Sequence, residues 1–211
     1  MPDPLFVLQV APATMALLIA NLIITLVAFQ NVRLTEHLIF DITYIRRKHQ
    51  YYRFITSAFI HGDGFHVFMN LLALYFMGPF LEVQIGTGPF VAFYFACLLA
   101  GSAWTFLDHF RDGNYRALGA SGAISGIMAA ASLFGPLQTI LVFFVLPMPF
   151  ILATALYIGW SIWASHKQVR DGIGHAAHLG GALMGVALVC LVYPQVARQA
   201  FDDVAAAVTP G

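Results

Sequence analysis

Ser121 stands in Gly119-Ala120-Ser121-Gly122 at the start of one apolar segment, and His178 stands in His175-Ala176-Ala177-His178 at the start of another. A hydroxyl and an imidazole inside apolar helices are costly to bury, so such a pair is a functional hypothesis by default. The chemistry open to it is nucleophilic: the imidazole takes the hydroxyl proton and the oxygen attacks a carbonyl carbon. Gly119 and Gly122 allow a tight backbone bend and close approach of a substrate. A serine in the first turn of a helix has an N–H with no partner inside that helix, and can aim it at an oxyanion. Taken alone, Gly119, Ser121, Gly122, Ser125 and Gly126 are better read as small residues for helix packing. The match is also not the Gly-x-Ser-x-Gly elbow of soluble hydrolases.

His178 lies three residues before Gly181, and Gly181 and Gly185 form a Gly-x-x-x-Gly face that permits close helix contact. His178 should therefore face whatever those glycines touch. If that neighbour is the segment opened by Ser121, the two side chains meet. Without Ser121, a histidine here reads as a packing residue. No carboxylate completes a triad: each Asp and Glu falls in a terminus, a loop or a loop margin, and Asp171 would lie about 10 Å from His178 along a helix. The pattern is a Ser–His dyad. A third cluster, His61-Gly62-Asp63-Gly64-Phe65-His66-Val67-Phe68-Met69-Asn70, puts His66 and Asn70 four apart on one helical face. Both can donate to an oxyanion, each donor being worth about 3–4 kcal/mol when well placed. The alternative is that Asn70 ties helices together and His61 bonds a loop. A zinc hydrolase would need a glutamate between its histidines, and neither His61 nor His66 offers one, so no metal is expected.

These residues have to be positioned by membrane-spanning helices. The 211-residue chain is 60% hydrophobic and only 9% charged, against about 25% charged in soluble domains. A net charge of zero with no basic patch excludes nucleic acid as a partner. Cys97 and Cys190 both read as small buried hydrophobes. Met1-Pro2-Asp3-Pro4 has no basic residue, and the run from Leu5 to Phe29 is too long for a secretory signal, so it is expected to remain as a membrane helix. Six spans are expected: about Leu8 to Phe29, Phe65 to Leu81, Pro89 to Leu107, Ala120 to Leu133, Leu137 to Ala164 and His175 to Val192. The fourth is short and rich in Gly, Ala and Ser, which places it in the middle of the bundle with room for water above its first turn. The Asn31 to Phe54 linker is expected to lie partly in the interface, Glu82 to Gly88 is read as a short linker, and the tail after Pro194 as mildly polar. Nine of the ten basic residues fall on the face shared by the loops after spans one, three and five, which the positive-inside rule assigns to the cytoplasm.

Together the three clusters, in this order and on these spans, resemble the rhomboid family of intramembrane serine proteases over about residues 5 to 195. The resemblance implies an all-α, polytopic six-helix bundle with a short central fourth helix, forming a single domain over 1–211. It implies Ser121 as nucleophile and His178 as base. It gives His66, Asn70 and the Ser121 backbone as oxyanion donors, with Gly119 beside them. His61, Gly122, Gly181 and Gly185 become structural residues near the site. It implies no cofactor, single-pass membrane proteins as substrates, the lipid bilayer as surroundings, and a multi-pass protein of a bacterial inner or plasma membrane. A non-catalytic relative that binds membrane clients is the alternative, and a small transporter would show inverted repeats that the sequence lacks. Three departures stand out. Where the family often has an aromatic residue packed on the catalytic imidazole, four after the nucleophile, this chain has Ser125, so another side chain must orient His178 or the ring is looser. Tyr52-Arg53 replaces a common tryptophan–arginine pair. The family's usual bacterial form also has cytoplasmic termini, opposite to the charge count.

Overall fold

The computed structural model describes residues 9–142, 145–167, 169 and 173–209. The core helices are α1 (Pro12–Gln30), α5 (Gly64–Ile85), α6 (Thr87–Asp108), α7 (Ser121–Phe134), α8 (Phe150–His166) and α9 (His175–Val192). Between α1 and α5 lie α2 (Val32–Leu38), β1 (Phe40–Asp41), α3 (Ile42–Lys48), α4 (Arg53–Thr56) and a single 3₁₀ turn over Ser57–Phe59. β2 (Arg116–Ala117) precedes α7, β3 (Thr139–Val142) and β4 (Leu146–Pro149) precede α8, and α10 (Pro194–Val208) follows α9. The chain is a polytopic helical membrane bundle. Among the described residues α1, α5, α6 and α9 are long and apolar enough to cross a bilayer. Helix α8 has 17 residues, the lower limit for a span. Helix α7 has only 14, about 21 Å of rise, well short of the roughly 30 Å hydrocarbon layer.

The short helix is central, as its composition predicts. Gly122 through Ile127 and Ala129 through Ser132 are all buried, and α7 packs against α5, α6, α8 and α9. Small residues do the work that hydrophobicity cannot do in lipid, where packing is driven by van der Waals contact between closely apposed backbones. A Cβ at Gly181 would run into the Gly122 carbonyl oxygen, and one at Gly185 into that of Gly126. On the next face a Cβ at Gly101 of α6 would lie 2.6 Å from the Ala177 carbonyl oxygen. Helices α6, α7 and α9 therefore meet nearly backbone to backbone.

Four expectations are corrected. The fifth span does not begin at Leu137: β3 and β4 form an antiparallel hairpin, with Thr139 opposite Pro149 and Val142 opposite Leu146, and the helix starts only at Phe150. Pro147 and Pro149 forbid helix continuation into this stretch, and its β-branched residues suit a strand. Glu82 is not in a linker. It sits in the last turn of α5, 1% exposed, and the reversal into α6 is made at Gly86, whose φ of +86° favours glycine. The Glu82 carboxylate accepts from the Ala13 and Thr14 N–H groups and from the Thr14 and Thr87 hydroxyls. The buried carboxyl group is thus matched to the N-terminus of α1, whose first N–H groups would otherwise be orphaned inside the protein. Third, the tail forms an amphipathic helix, α10, which buries Ala200 and lays Val196 and Ala197 on the core. Fourth, Cys97 is buried but Cys190 is exposed, on a stretch of α9 where Leu191 and Val192 also face outward; an apolar segment in lipid need not bury all its sides. The described helix of span one is Pro12–Gln30; its expected start at about Leu8, and Asp171, fall outside the described residues.

Candidate active site

Ser121 is the first residue of α7, behind an N-cap at Ala120 that makes no side-chain capping bond. It is half-buried, and its position leaves its N–H among the first-turn donors that have no acceptor within the helix. The chain reaches it through Gly119, whose φ is +109°, a left-handed backbone that an L-residue resists. The Gly119 N–H donates to the Ser57 carbonyl at 2.9 Å, so this amide is committed. What Gly119 contributes is space: a Cβ there would lie 2.7 Å from His66 Nε2. The absence of that Cβ lets the His66 ring reach the approach to Ser121.

His66 is in the first turn of α5, where Asp63 caps its N–H at 2.8 Å. One turn on, Asn70 is 7% exposed and donates its amide to the His66 carbonyl at 2.9 Å. The amide nitrogen carries a second hydrogen, which remains for another acceptor. His178, also 7% exposed, lies in the first turn of α9 and its N–H bonds the Gly174 carbonyl. A Cβ at Gly122 would lie 3.3 Å from the carbonyl oxygen of Ala177, the residue before His178. The residues adjoining Ser121 and His178 are therefore in direct contact across the α7–α9 interface, as the Gly-x-x-x-Gly face predicts.

A cavity of about 40 Å³ opens beside the serine, lined by Ser121 and Gly122, by Gly174 and Ala177, and by the hydroxyl-bearing Ser57, Ser102 and Thr105. A water needs roughly 10–15 Å³ and two or more polar partners, so the cavity is large and polar enough to hold one.

One feature of the site was not legible in the sequence. Tyr157 of α8 stacks on His178, with ring centroids 5.5 Å apart and planes at 29°. Its hydroxyl is 2.7 Å from Ser125 Oγ, and Ser125 in turn donates to the Ser121 carbonyl at 2.6 Å. His175 meets the His178 ring edge-on at 6.1 Å. The length of the apolar run marks a membrane span but not which aromatic residue of α8 turns inward.

Residues 48–195 match the Rhomboid domain family. The chain belongs to the rhomboid family. It is 35% identical over 139 residues to the mitochondrial Rhomboid protein 1 of Saccharomyces cerevisiae, covering 63% of this chain and 39% of that protein. To the mitochondrial RHOMBOID-like protein 12 of Arabidopsis thaliana it is 32% identical, over 61% of this chain and 42% of the relative. To the Rhomboid protease AarA of Providencia stuartii it is 28% identical, over 68% of this chain and 56% of that protein. This chain thus spans roughly two fifths of the length of the mitochondrial relatives.

In this rhomboid the first loop is organised by Arg53. Its guanidinium is buried, donates to Gln50 Oε1 and to the Glu36 and Ile39 carbonyls, and lies over the rings of Tyr44 and Tyr52. Tyr52-Arg53 thus still pairs an aromatic face with a cation. The loop is tied to the segment leading to Ser121 by pairing of β1 with β2 and by Arg116, which bridges Glu36 and Asp41. The Arg116 hydrogen bond holds the Glu36 carboxyl below the usual carboxylate range.

His61, ahead of α5, is 3% exposed; its Nδ1 is 2.8 Å from the Thr25 hydroxyl of α1, and its ring meets His66 edge-on. Burial, with the His66 charge second, pushes its pKa from 6.5 to about 4. The unfolded chain then binds a proton between those values that the folded chain does not, so stability is present above pH 6.5 and is lost as pH falls toward about 4. The size of the loss is about 3 kcal/mol at most. We expect the thermal midpoint in detergent to fall across this window, and to fall less steeply in His61→Gln. An unchanged slope in the variant would place the titration elsewhere.

Proposed function

We propose that this rhomboid is an intramembrane serine endopeptidase, with Ser121 as nucleophile and His178 as base. It would cleave single-pass membrane proteins within or beside their transmembrane segment. The observation that carries the reading is the setting of Ser121: the first turn of a short buried helix, beside a polar cavity of water size, pressed by glycine contacts against the helix bearing His178. A relative named as a protease, AarA, aligns with 68% of the chain.

The substrate segment must first unwind, because the amides of an intact transmembrane helix are occupied by their own hydrogen bonds. His178 takes the proton from Ser121 Oγ as that oxygen bonds to the scissile carbonyl carbon. The negative charge moves to the carbonyl oxygen, where the Ser121 N–H, the remaining Asn70 amide hydrogen and His66 can donate to it. Collapse of the tetrahedral species breaks the C–N bond, and the imidazolium gives its proton to the leaving amine. A water then attacks the acyl ester, His178 takes its proton, and Ser121 regains a hydrogen as the acid product departs. No cofactor or metal enters. Residence is in a membrane crossed several times; the matched relatives include mitochondrial, plant and bacterial proteins.

The test separates this reading from client binding without catalysis. Purified protein in liposomes is treated with a fluorophosphonate, and a panel of single-pass reporters is incubated with untreated protein. The expected result is an adduct mapped to Ser121 and reporter fragments whose masses place the cut within or beside the membrane segment. Intact reporters and an unmodified Ser121 would leave a binding protein.

A further inference from the structure

We propose that Tyr157 is the positioning residue that sets the His178 imidazole for proton transfer, from a helix that carries neither member of the pair. This rests on the Ser121–His178 reading above. Three observations carry it.

The first is the stack itself. An offset arrangement at 5.5 Å and 29° is the geometry two ring systems prefer. It restricts rotation of the imidazole about its side-chain bonds on one face, while His175 closes in edge-on. The second is how the tyrosine ring is held. A serine hydroxyl has one hydrogen. Ser125 gives its hydrogen to the Ser121 carbonyl, so the bond between Ser125 Oγ and the Tyr157 hydroxyl must be donated by the tyrosine. The directed chain runs from Tyr157 O–H to Ser125 Oγ, and from Ser125 O–H to the Ser121 carbonyl. One side chain thereby touches the base by its ring and the nucleophile's backbone through one intermediary. The third is the identity of residue 125. A serine one turn along α7 from Ser121 is too short to cover the imidazole, and the space above it is filled from α8 instead. Tyr157 and Ser125 work as a pair: the small residue makes room for the ring and accepts its hydrogen bond.

A displacement of about 1 Å in a reacting group can cost about 10²-fold in rate. Tyr157→Leu keeps apolar bulk in α8 but removes the ring plane. Tyr157→Phe keeps the ring and removes only its anchor. The rate constant for fluorophosphonate modification of Ser121 reads His178 directly, and reporter cleavage gives kcat and KM. We expect Tyr157→Leu to lose about 10- to 100-fold in both the modification rate and kcat, with KM within about threefold. Tyr157→Phe, which keeps the stack and loses the anchor, should fall between wild type and Tyr157→Leu in modification rate and kcat. Moving the ring to α7, in the double variant Ser125→Tyr with Tyr157→Leu, should recover most of the lost modification rate. A wild-type rate in Tyr157→Leu would overturn the inference. Equal losses in the Leu and Phe variants that follow a fall in thermal midpoint would also overturn it, since the role would then be structural. Failure of wild-type protein to be modified at Ser121 would instead overturn the underlying Ser–His reading.

Discussion

Ser121→Ala should reduce cleavage of a membrane-anchored reporter by on the order of 10³-fold or more, to background, while the protein stays folded. The size follows from the reaction: without Oγ no acyl-enzyme forms, and the oxyanion donors act on nothing that the enzyme has attacked. The folded state should hardly change, because the α7 N-cap is Ala120 and it makes no side-chain bond. What Ser121 gives the structure is its carbonyl, which accepts from Ser125 and survives the substitution. The thermal midpoint should lie within about 2 °C of wild type. His178→Ala should also abolish turnover, but it removes the stack with Tyr157 as well, so alanine at 121 is the sharper variant. Reporter cut at the wild-type rate by Ser121→Ala, with the same fragment masses, would remove Ser121 from the chemistry.

What the sequence made legible was the part of the molecule governed by composition and short spacing. The small residues of α7 announce a buried helix because nothing else in a membrane tolerates so little side chain. Gly181 and Gly185, three and seven residues past His178, fix which side of α9 meets it. These are local patterns, and the contact of Gly122 with Ala177 follows from them. The apolar run from Leu137 to Ala164 shows where such reading fails. Mean apolarity does not separate a strand from a helix, and the weight had to rest on Pro147 and Pro149, which end the hairpin one residue before α8. Glu82 failed for a different reason. A charge near a span end was assigned to a loop, yet its four donors come from α1 and from the start of α6, and the α1 donors lie nearly seventy residues away. Tyr157 failed because its partners depend on how α8 is rotated. Ser125 and His178 are respectively 32 residues before it and 21 after, and no periodicity links them. Ser125 held half of the signal: a serine where a ring was expected left the imidazole either to another side chain or to a looser setting.

Gly181→Ala should be the most damaging small substitution in the chain. One methyl group would be placed on the Gly122 carbonyl oxygen, which is backbone and cannot swing aside as a side-chain end would. Helices α7 and α9 must separate, and the separation is transmitted to Gly185 against Gly126 and to Gly126 against Cys97 on α6. In lipid no hydrophobic force draws the helices back together, so nothing makes up for the broken backbone packing. We expect a loss of about 3–5 kcal/mol, at the top of the range for single substitutions. The gap would also widen beside Ser121 and His178, so fluorophosphonate modification should fail even in the fraction that remains folded. Gly159→Ala is the control. Nothing lies within 4 Å of a Cβ there, and alanine is the better helix former, so stability should be unchanged or slightly raised. The chain carries its own reporter: Cys97 is buried at this contact while Cys190 is exposed. Cys190 faces lipid or detergent, so it is replaced by alanine in every variant, and the protein is heated in detergent with a maleimide. Cys97 should react at a lower temperature in Gly181→Ala than in wild type or Gly159→Ala. If Cys97 becomes reactive at the same temperature in all three, the backbone contact between α7 and α9 is not what holds the site closed.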